Sequence, residues 1–117
     1  EVIESTKNNT GLVLTLALSY GGRQEIVDAI NKIIASNDEY IDEEIFKNYL
    51  YAPTMPDPDL IIRTGGESRL SNFLLWQSAY SEIYVSKKNW PEFAEDDLIS
   101  ALNDFGQRKR KYGKVLN

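Results

Sequence analysis

Asp57-Pro58-Asp59-Leu60-Ile61-Ile62-Arg63-Thr64-Gly65-Gly66-Glu67-Ser68-Arg69-Leu70-Ser71 is the stretch on which the fold turns. Leu60–Ile62 is a short apolar run flanked by Pro58 and by a Gly-Gly pair, the pattern of a strand buried on both faces. An amphipathic run follows, and Ser71–Tyr80 reads as a short helix with Ser71 or Asn72 as its N-cap. The segment thus predicts a strand-to-helix junction carrying Arg63, Arg69, two glycines and a capping hydroxyl. Such a junction suits a diphosphate. Guanidinium forks bind phosphate oxygens bidentately and stay charged, glycine permits close backbone approach and positive φ, and free N–H groups at a helix start add positive potential.

The same alternation extends in both directions. Leu12–Leu18 is nearly continuous in apolar residues and reads as a strand buried in a parallel sheet, broken by Ser19-Tyr20-Gly21-Gly22. From Arg23, apolar residues at Ile26, Ala29, Ile30, Ile33 and Ile34 have helical spacing. A second helix is predicted from about Asp42, with Ile41, Ile45, Phe46 and Tyr49 on its apolar face and acidic residues at its positive end. Pro53–Pro58 is a stiff connector. Ile83-Tyr84-Val85 reads as a third strand. A last helix starts near Glu95, with Leu98, Ala101, Leu102 and Phe105 inward, an acidic start and a basic end at Arg108–Lys111. This order implies an α/β fold: a mainly parallel sheet flanked by helices. Ligands in such sheets bind beyond the carboxyl ends of the strands, where both Gly-Gly turns are expected. Three strands make a thin sheet, so exposed edges and self-association are expected.

Composition narrows the chemistry. The 117 residues, 42% hydrophobic and 26% charged, have the length of one domain and include no run long enough to span a membrane. Without cysteine, disulfides and thiolate sites are excluded, which fits a reducing cytoplasm. Without histidine, Ser–His–Asp catalysis, HExxH zinc sites and histidine general bases are excluded as well. Carboxylates, arginines, lysines, hydroxyls and a hard metal ion remain. A net charge of −5 argues against nucleic-acid binding, although a few convergent arginines can still hold an anion.

Arg63-Thr64-Gly65-Gly66-Glu67-Ser68-Arg69-Leu70-Ser71-Asn72, continuing through Trp76 to Glu82 and followed by Trp90-Pro91-Glu92-Phe93, closely resembles the C-terminal signature of cis-prenyltransferases of the bacterial undecaprenyl diphosphate synthase type. Leu16–Ile26 resembles a further block of that family, which usually has Asn at the position of Ser19. The resemblance covers essentially the whole chain. It implies a partial undecaprenyl diphosphate synthase-like fold, with residues 1–117 as the C-terminal half of a single cis-prenyltransferase domain. The family's N-terminal half carries an Asp-Gly-Asn-Gly-Arg-Trp-type loop for the allylic diphosphate, and nothing like it occurs here. A missing first half would also explain a chain that opens on Glu1, with Met55 as its only methionine.

Carried over position by position, the resemblance implies that Arg63, Arg69, Leu70 and Ser71 bind isopentenyl diphosphate, Leu70 through its backbone. It implies that Glu82 is a Mg2+ ligand and that the key catalytic aspartate lies in the absent half, leaving no catalytic residue in this one. The activity implied is repeated condensation of isopentenyl diphosphate onto farnesyl diphosphate to give undecaprenyl diphosphate, the lipid carrier precursor for cell-wall synthesis. The resemblance further implies a cytoplasmic homodimer that delivers its product to the membrane; the isolated half is expected to be inactive. At the tail, Lys111 stands where relatives often carry arginine in an Arg-x-Gly element; lysine keeps the charge but loses the fork, so the tail is left out of the site.

Plainer readings stand beside these. Surface arginines more often form ion pairs than bind ligands, Gly-Gly is commonly just a turn, and an isolated glutamate is usually exposed. Trp76 and Tyr80 read as core or interface residues, and the acidic clusters Asp38–Glu44 and Glu92–Asp97 as solvated helix starts. The alternative function is a non-catalytic diphosphate-binding accessory α/β module.

Overall fold

A computed structural model describes residues 1–115. Its elements are α1 (Val2–Thr6), α2 (Gly22–Ala35), α3 (Glu43–Lys47), β1 (Leu60–Arg63), β2 (Glu82–Val85), a 3-10 turn (Trp90–Glu92) and α4 (Glu95–Gln107). Strands β1 and β2 pair in parallel, Leu60 opposite Glu82 and Arg63 opposite Val85. The pairing continues beyond the strands as Ser86 N–H donates to Arg63 O at 2.8 Å, Gly66 N–H to Ser86 O at 2.8 Å and Gly65 N–H to Lys88 O at 2.8 Å. Helix α4 packs on β2. The architecture is α/β with a parallel sheet, as the sequence predicts.

Two small centres hold the chain together. Ala29, Phe46 and Leu50 form one, with Ile26, Ile33, Ile41, Tyr49 and Trp76 packed around them. The Phe46 and Trp76 rings lie 4.4 Å apart, so Trp76 is a core residue. Ala101 is buried where α4 meets the sheet. Asp42 caps α3 by accepting the Ile45 N–H at 2.8 Å, and Asp97 accepts the Ala94 N–H at the start of α4 at 2.8 Å. Both acidic clusters therefore serve helix starts.

The structure departs from the sequence-based expectations at several places. Leu12–Leu18 forms no strand: Leu12, Val13, Leu14, Leu16 and Leu18 are 72–93% exposed. An apolar run becomes a strand only when a neighbour accepts its backbone hydrogen bonds, and no described strand pairs with it. Ser71–Tyr80 is a series of turns, not a helix. Ser71, Asn72 and Leu74 have φ of 50°, 68° and 46°, left-handed values that a right-handed helix cannot accommodate. Leu98 and Leu102 on α4 are exposed, because the two-stranded sheet is too narrow to cover that helix face. Ile30 and Ile34 on α2 are exposed for want of a neighbour on that side.

Candidate functional site

Arg63 ends β1, at the carboxyl edge where the sheet predicts a ligand. With Ile61, Ile62, Arg69, Leu70, Phe73 and Ile83 it lines a cleft of about 100 Å³. Its Nε is buried with no hydrogen-bond partner, and among the described residues its guanidinium has no ion pair. A desolvated, unpaired donor calls for an acceptor, since leaving it unmade costs about 1–3 kcal/mol. Arg69 is more exposed and is held by Glu67 Oε2 at 2.7 Å.

The structure thus brings Arg63, Arg69 and Leu70 together. Ser71 is exposed beside them, in left-handed conformation, and does not line the cleft. Glu82 is elsewhere. It opens β2 opposite Leu60, at the amino end of the sheet, three residues or roughly 10 Å along the strand direction from Arg63's register. Alternation along the strands also sets Glu82 and Arg63 on opposite faces. Glu82 Oε2 accepts Arg108 Nη1 at 3.1 Å. Arg108 also binds Asp104 at 2.6 Å and the Ile83 carbonyl at 3.0 Å. Asp104 first, and Glu82 second, hold the Arg108 guanidinium firmly in its charged form.

The Gly65-Gly66 turn has φ of 83° and 73°, as a glycine pair permits. Its amides, however, are spent on Lys88 O and Ser86 O, and no helix starts at Ser71. The expected N–H donors of the Gly-Gly pair and of a helix start at Ser71 are therefore not available to the cleft.

Several residues that organise this region carry no motif of their own. Asn72 accepts the Gly22 N–H through its carbonyl at 2.7 Å and the Arg23 N–H through Oδ1 at 2.9 Å, capping α2 rather than a helix of its own. Glu25 is buried and accepts from Tyr20 Oη at 2.5 Å, Gln77 Nε2 at 3.0 Å and Tyr51 N–H at 2.9 Å. Burial, and then the bond to Glu25, pushes the Tyr20 phenol above its ordinary range, so it remains a donor. Tyr51, bonded to Asp28, is pushed up to about 12. A charged residue on the apolar side of α2 was the available signal for Glu25, and an acid two residues before Arg69 was the signal for Glu67.

Among the described residues no three acidic groups converge so as to hold a metal ion. Glu82 offers a hard carboxylate of the kind magnesium takes singly or in pairs, completing its octahedron with phosphate and water, so it fits as one ligand of a shared set.

At the carboxyl edge of a parallel α/β sheet, Arg63 and Arg69 thus share one cleft with Ile61, Ile62, Leu70, Phe73 and Ile83. The family described as "Putative undecaprenyl diphosphate synthase" matches residues 1–113. Isoprenyl transferases of Rickettsia felis and Thermotoga maritima are 58% and 51% identical, over 96% and 100% of this chain and 48% and 52% of their own lengths. Among solved structures, a lavandulyl diphosphate synthase from Lavandula x intermedia, in complex with dimethylallyl diphosphate, superposes with TM-score 0.87 at 40% identity, covering 93% of this chain and 50% of that one. A structure from Campylobacter jejuni described as a "probable undecaprenyl diphosphate synthase" does so with TM-score 0.83 at 40% identity, covering 97% and 53%. The chain belongs to the undecaprenyl diphosphate synthase family of prenyltransferases, and it spans about half the length of the relatives it matches.

Proposed function

We propose that residues 1–117 are the isopentenyl-diphosphate-binding, C-terminal half of a cis-prenyltransferase domain. The complete enzyme condenses isopentenyl diphosphate onto farnesyl diphosphate and repeats the cycle to undecaprenyl diphosphate, the lipid carrier precursor for cell-wall synthesis. One observation carries this reading: Arg63, with a buried unpartnered Nε, shares an apolar-walled cleft with Arg69 and Leu70.

In each cycle the allylic carbon–oxygen bond breaks, a carbon–carbon bond forms to isopentenyl diphosphate, and diphosphate and a proton leave. Arg63 and Arg69 hold the isopentenyl headgroup, with Leu70 and Ser71 contributing from the loop between them and the next turn. Ile61, Phe73 and Ile83 supply apolar wall to the cleft, and a bound substrate that displaces water from it would strengthen the charge contacts. Glu82 would hold magnesium together with a carboxylate from the other half, and magnesium supplies charge neutralisation for the departing diphosphate. The catalytic aspartate belongs to that other half. The enzyme works as a cytoplasmic homodimer and hands its product to the membrane. Among the described residues no helix is long and apolar enough to cross one.

Titration of isopentenyl diphosphate into the 117-residue chain tests the reading. Wild type is expected to bind, and Arg63→Ala and Arg69→Ala to bind about ten- to a hundredfold more weakly, the equivalent of about 1.5–3 kcal/mol for a lost charge-assisted pair. Unchanged affinity in both variants removes these residues from the site.

A second reading, a non-catalytic diphosphate-binding accessory module, is favoured by the commitment of Glu82 to Arg108. Prenyl transfer by an enzyme assembled from this half and the family's N-terminal half would exclude it.

A further inference from the structure

We infer that Asn72 is a positioning residue that clamps the diphosphate loop, Arg69–Ser71, onto the start of α2, and that Gly21 and Gly22 exist to admit it. The inference rests on the reading of Arg63 and Arg69 as diphosphate ligands. Asn72 follows Ser71 directly, in left-handed conformation at φ 68°, a region asparagine tolerates better than most residues. That turn aims both of its acceptors at α2: the carbonyl receives the Gly22 N–H and Oδ1 receives the Arg23 N–H. These are donors that a helix start cannot satisfy internally.

The glycines facing Asn72 are not there for backbone freedom. Gly21 is extended, with φ −146° and ψ 129°, and Gly22 is helical, conformations open to any residue. What they provide is room. A Cβ on Gly21 would lie 2.9 Å from Asn72 Nδ2, and one on Gly22 2.8 Å from Leu75 Cγ and 3.1 Å from Asn72 O and Leu75 N. Two further contacts tie the same pair of segments: Tyr20 meets Phe73 edge-on at 5.8 Å, and Gln77 donates to Glu25 at 3.0 Å. Phe73 also lines the cleft. The loop that carries Arg69 has no helix of its own, so its position is set by the segment it is fastened to.

Coupling of this kind is reciprocal. Ordering the loop around a diphosphate should tighten the clamp, and loosening the clamp should weaken the diphosphate.

Inorganic pyrophosphate binding by the full 117-residue chain, measured by calorimetry alongside amide hydrogen exchange and thermal unfolding, tests this. Asn72→Gly is expected to bind pyrophosphate about five- to tenfold more weakly with a nearly unchanged unfolding midpoint, because glycine adopts φ 68° freely, keeps the carbonyl that receives the Gly22 N–H, and leaves the exposed Arg23 N–H to water. Pyrophosphate should slow exchange of the Arg23 amide in wild type and not in Asn72→Gly. Gly22→Ala should also weaken binding, although alanine is the better helix former; a residue serving α2 alone would shift stability and leave affinity untouched. Arg63→Ala separates the two layers of the reading. Should Arg63→Ala bind as wild type, the diphosphate reading falls and takes the clamp with it. Should Arg63→Ala bind weakly while Asn72→Gly binds as wild type, the clamp alone is overturned, whatever Gly22→Ala does.

Discussion

Arg63 and Arg69 are chemically alike and physically unequal. Arg63 is partly desolvated and unpaired, whereas Arg69 shares its charge with Glu67 across 2.7 Å in the open. An exposed pair of that kind is worth about 0–1 kcal/mol and is screened by salt, so Arg69 can leave Glu67 for a phosphate at little cost. Raising the ionic strength should therefore erode the Arg69 contribution to isopentenyl diphosphate binding more than that of Arg63. Equal salt dependence of Arg63→Ala and Arg69→Ala would contradict this inequality. Glu82 poses the opposite case. Its carboxylate is already matched to Arg108 and lies on the other face and end of the sheet from Arg63. In the 117-residue chain, Glu82→Gln is expected to leave pyrophosphate affinity unchanged with or without magnesium. In a complete, turning-over enzyme the same change should lower turnover and raise the magnesium requirement. Normal magnesium dependence there would deny Glu82 its proposed role. That Arg63 and Arg69 would lie together was legible because their motif is contiguous. The face on which Glu82 falls depends on strand register, which no local run of residues specifies.

Elements whose signals are local formed where the sequence put them. α2 begins within one residue of Arg23, α4 begins at Glu95, and β1 and β2 take in the two apolar runs. Elements that depend on distant partners did not. Leu12–Leu18 has the composition of a buried strand but no strand beside it, and Asn72 spends its capping capacity on α2, leaving residues 71–80 as turns. The Glu25 network is of this long-range type as well, joining α2 to Gln77 and to the backbone of Tyr51. Glu25→Ala would strand these donors and is expected to lower stability by about 1–3 kcal/mol, read as a lower urea midpoint. A midpoint equal to wild type would mean that water replaces the carboxylate. At α4, the Ala94 N–H chiefly, and Lys88 after it, holds the Asp97 carboxyl below its ordinary value of 3.8. A lowered folded-state value contributes stability that is complete above 3.8 and is lost as pH falls through the folded value. Asp97→Asn should therefore be less stable than wild type near neutral pH, with the gap closing below about pH 4. A gap that stays constant into acid would show that charge plays no part.

The whole molecule is expanded for its length. Its radius of gyration is 17.0 Å, against roughly 13 Å for a compact domain of this size. Among the described residues the buried apolar core is small, comprising Ala29, Phe46, Leu50 and Ala101, while the irregular Leu12–Leu18 run meets solvent along its length. An exposed apolar segment outside any sheet has unpaired backbone donors and acceptors as well as greasy side chains, the combination that templates strand addition. The chain in isolation is accordingly expected to self-associate, with a light-scattering mass that rises with protein concentration. The exposure values make the cause separable from folding. Leu14 and Leu16 are 76% and 72% exposed, so replacing both with lysine removes little packing from the folded chain but places charge on the sticky segment, a substitution that opposes edge pairing. Leu14→Lys/Leu16→Lys should lower the apparent mass at a given concentration while leaving the urea midpoint extrapolated to low concentration unchanged. A wild-type chain that stays monomeric over the whole concentration range would show that Leu12–Leu18 is covered in solution. A double variant that associates as strongly as wild type would move the adhesive surface elsewhere, to the open faces of α2 and α4 around Ile34 and Leu102.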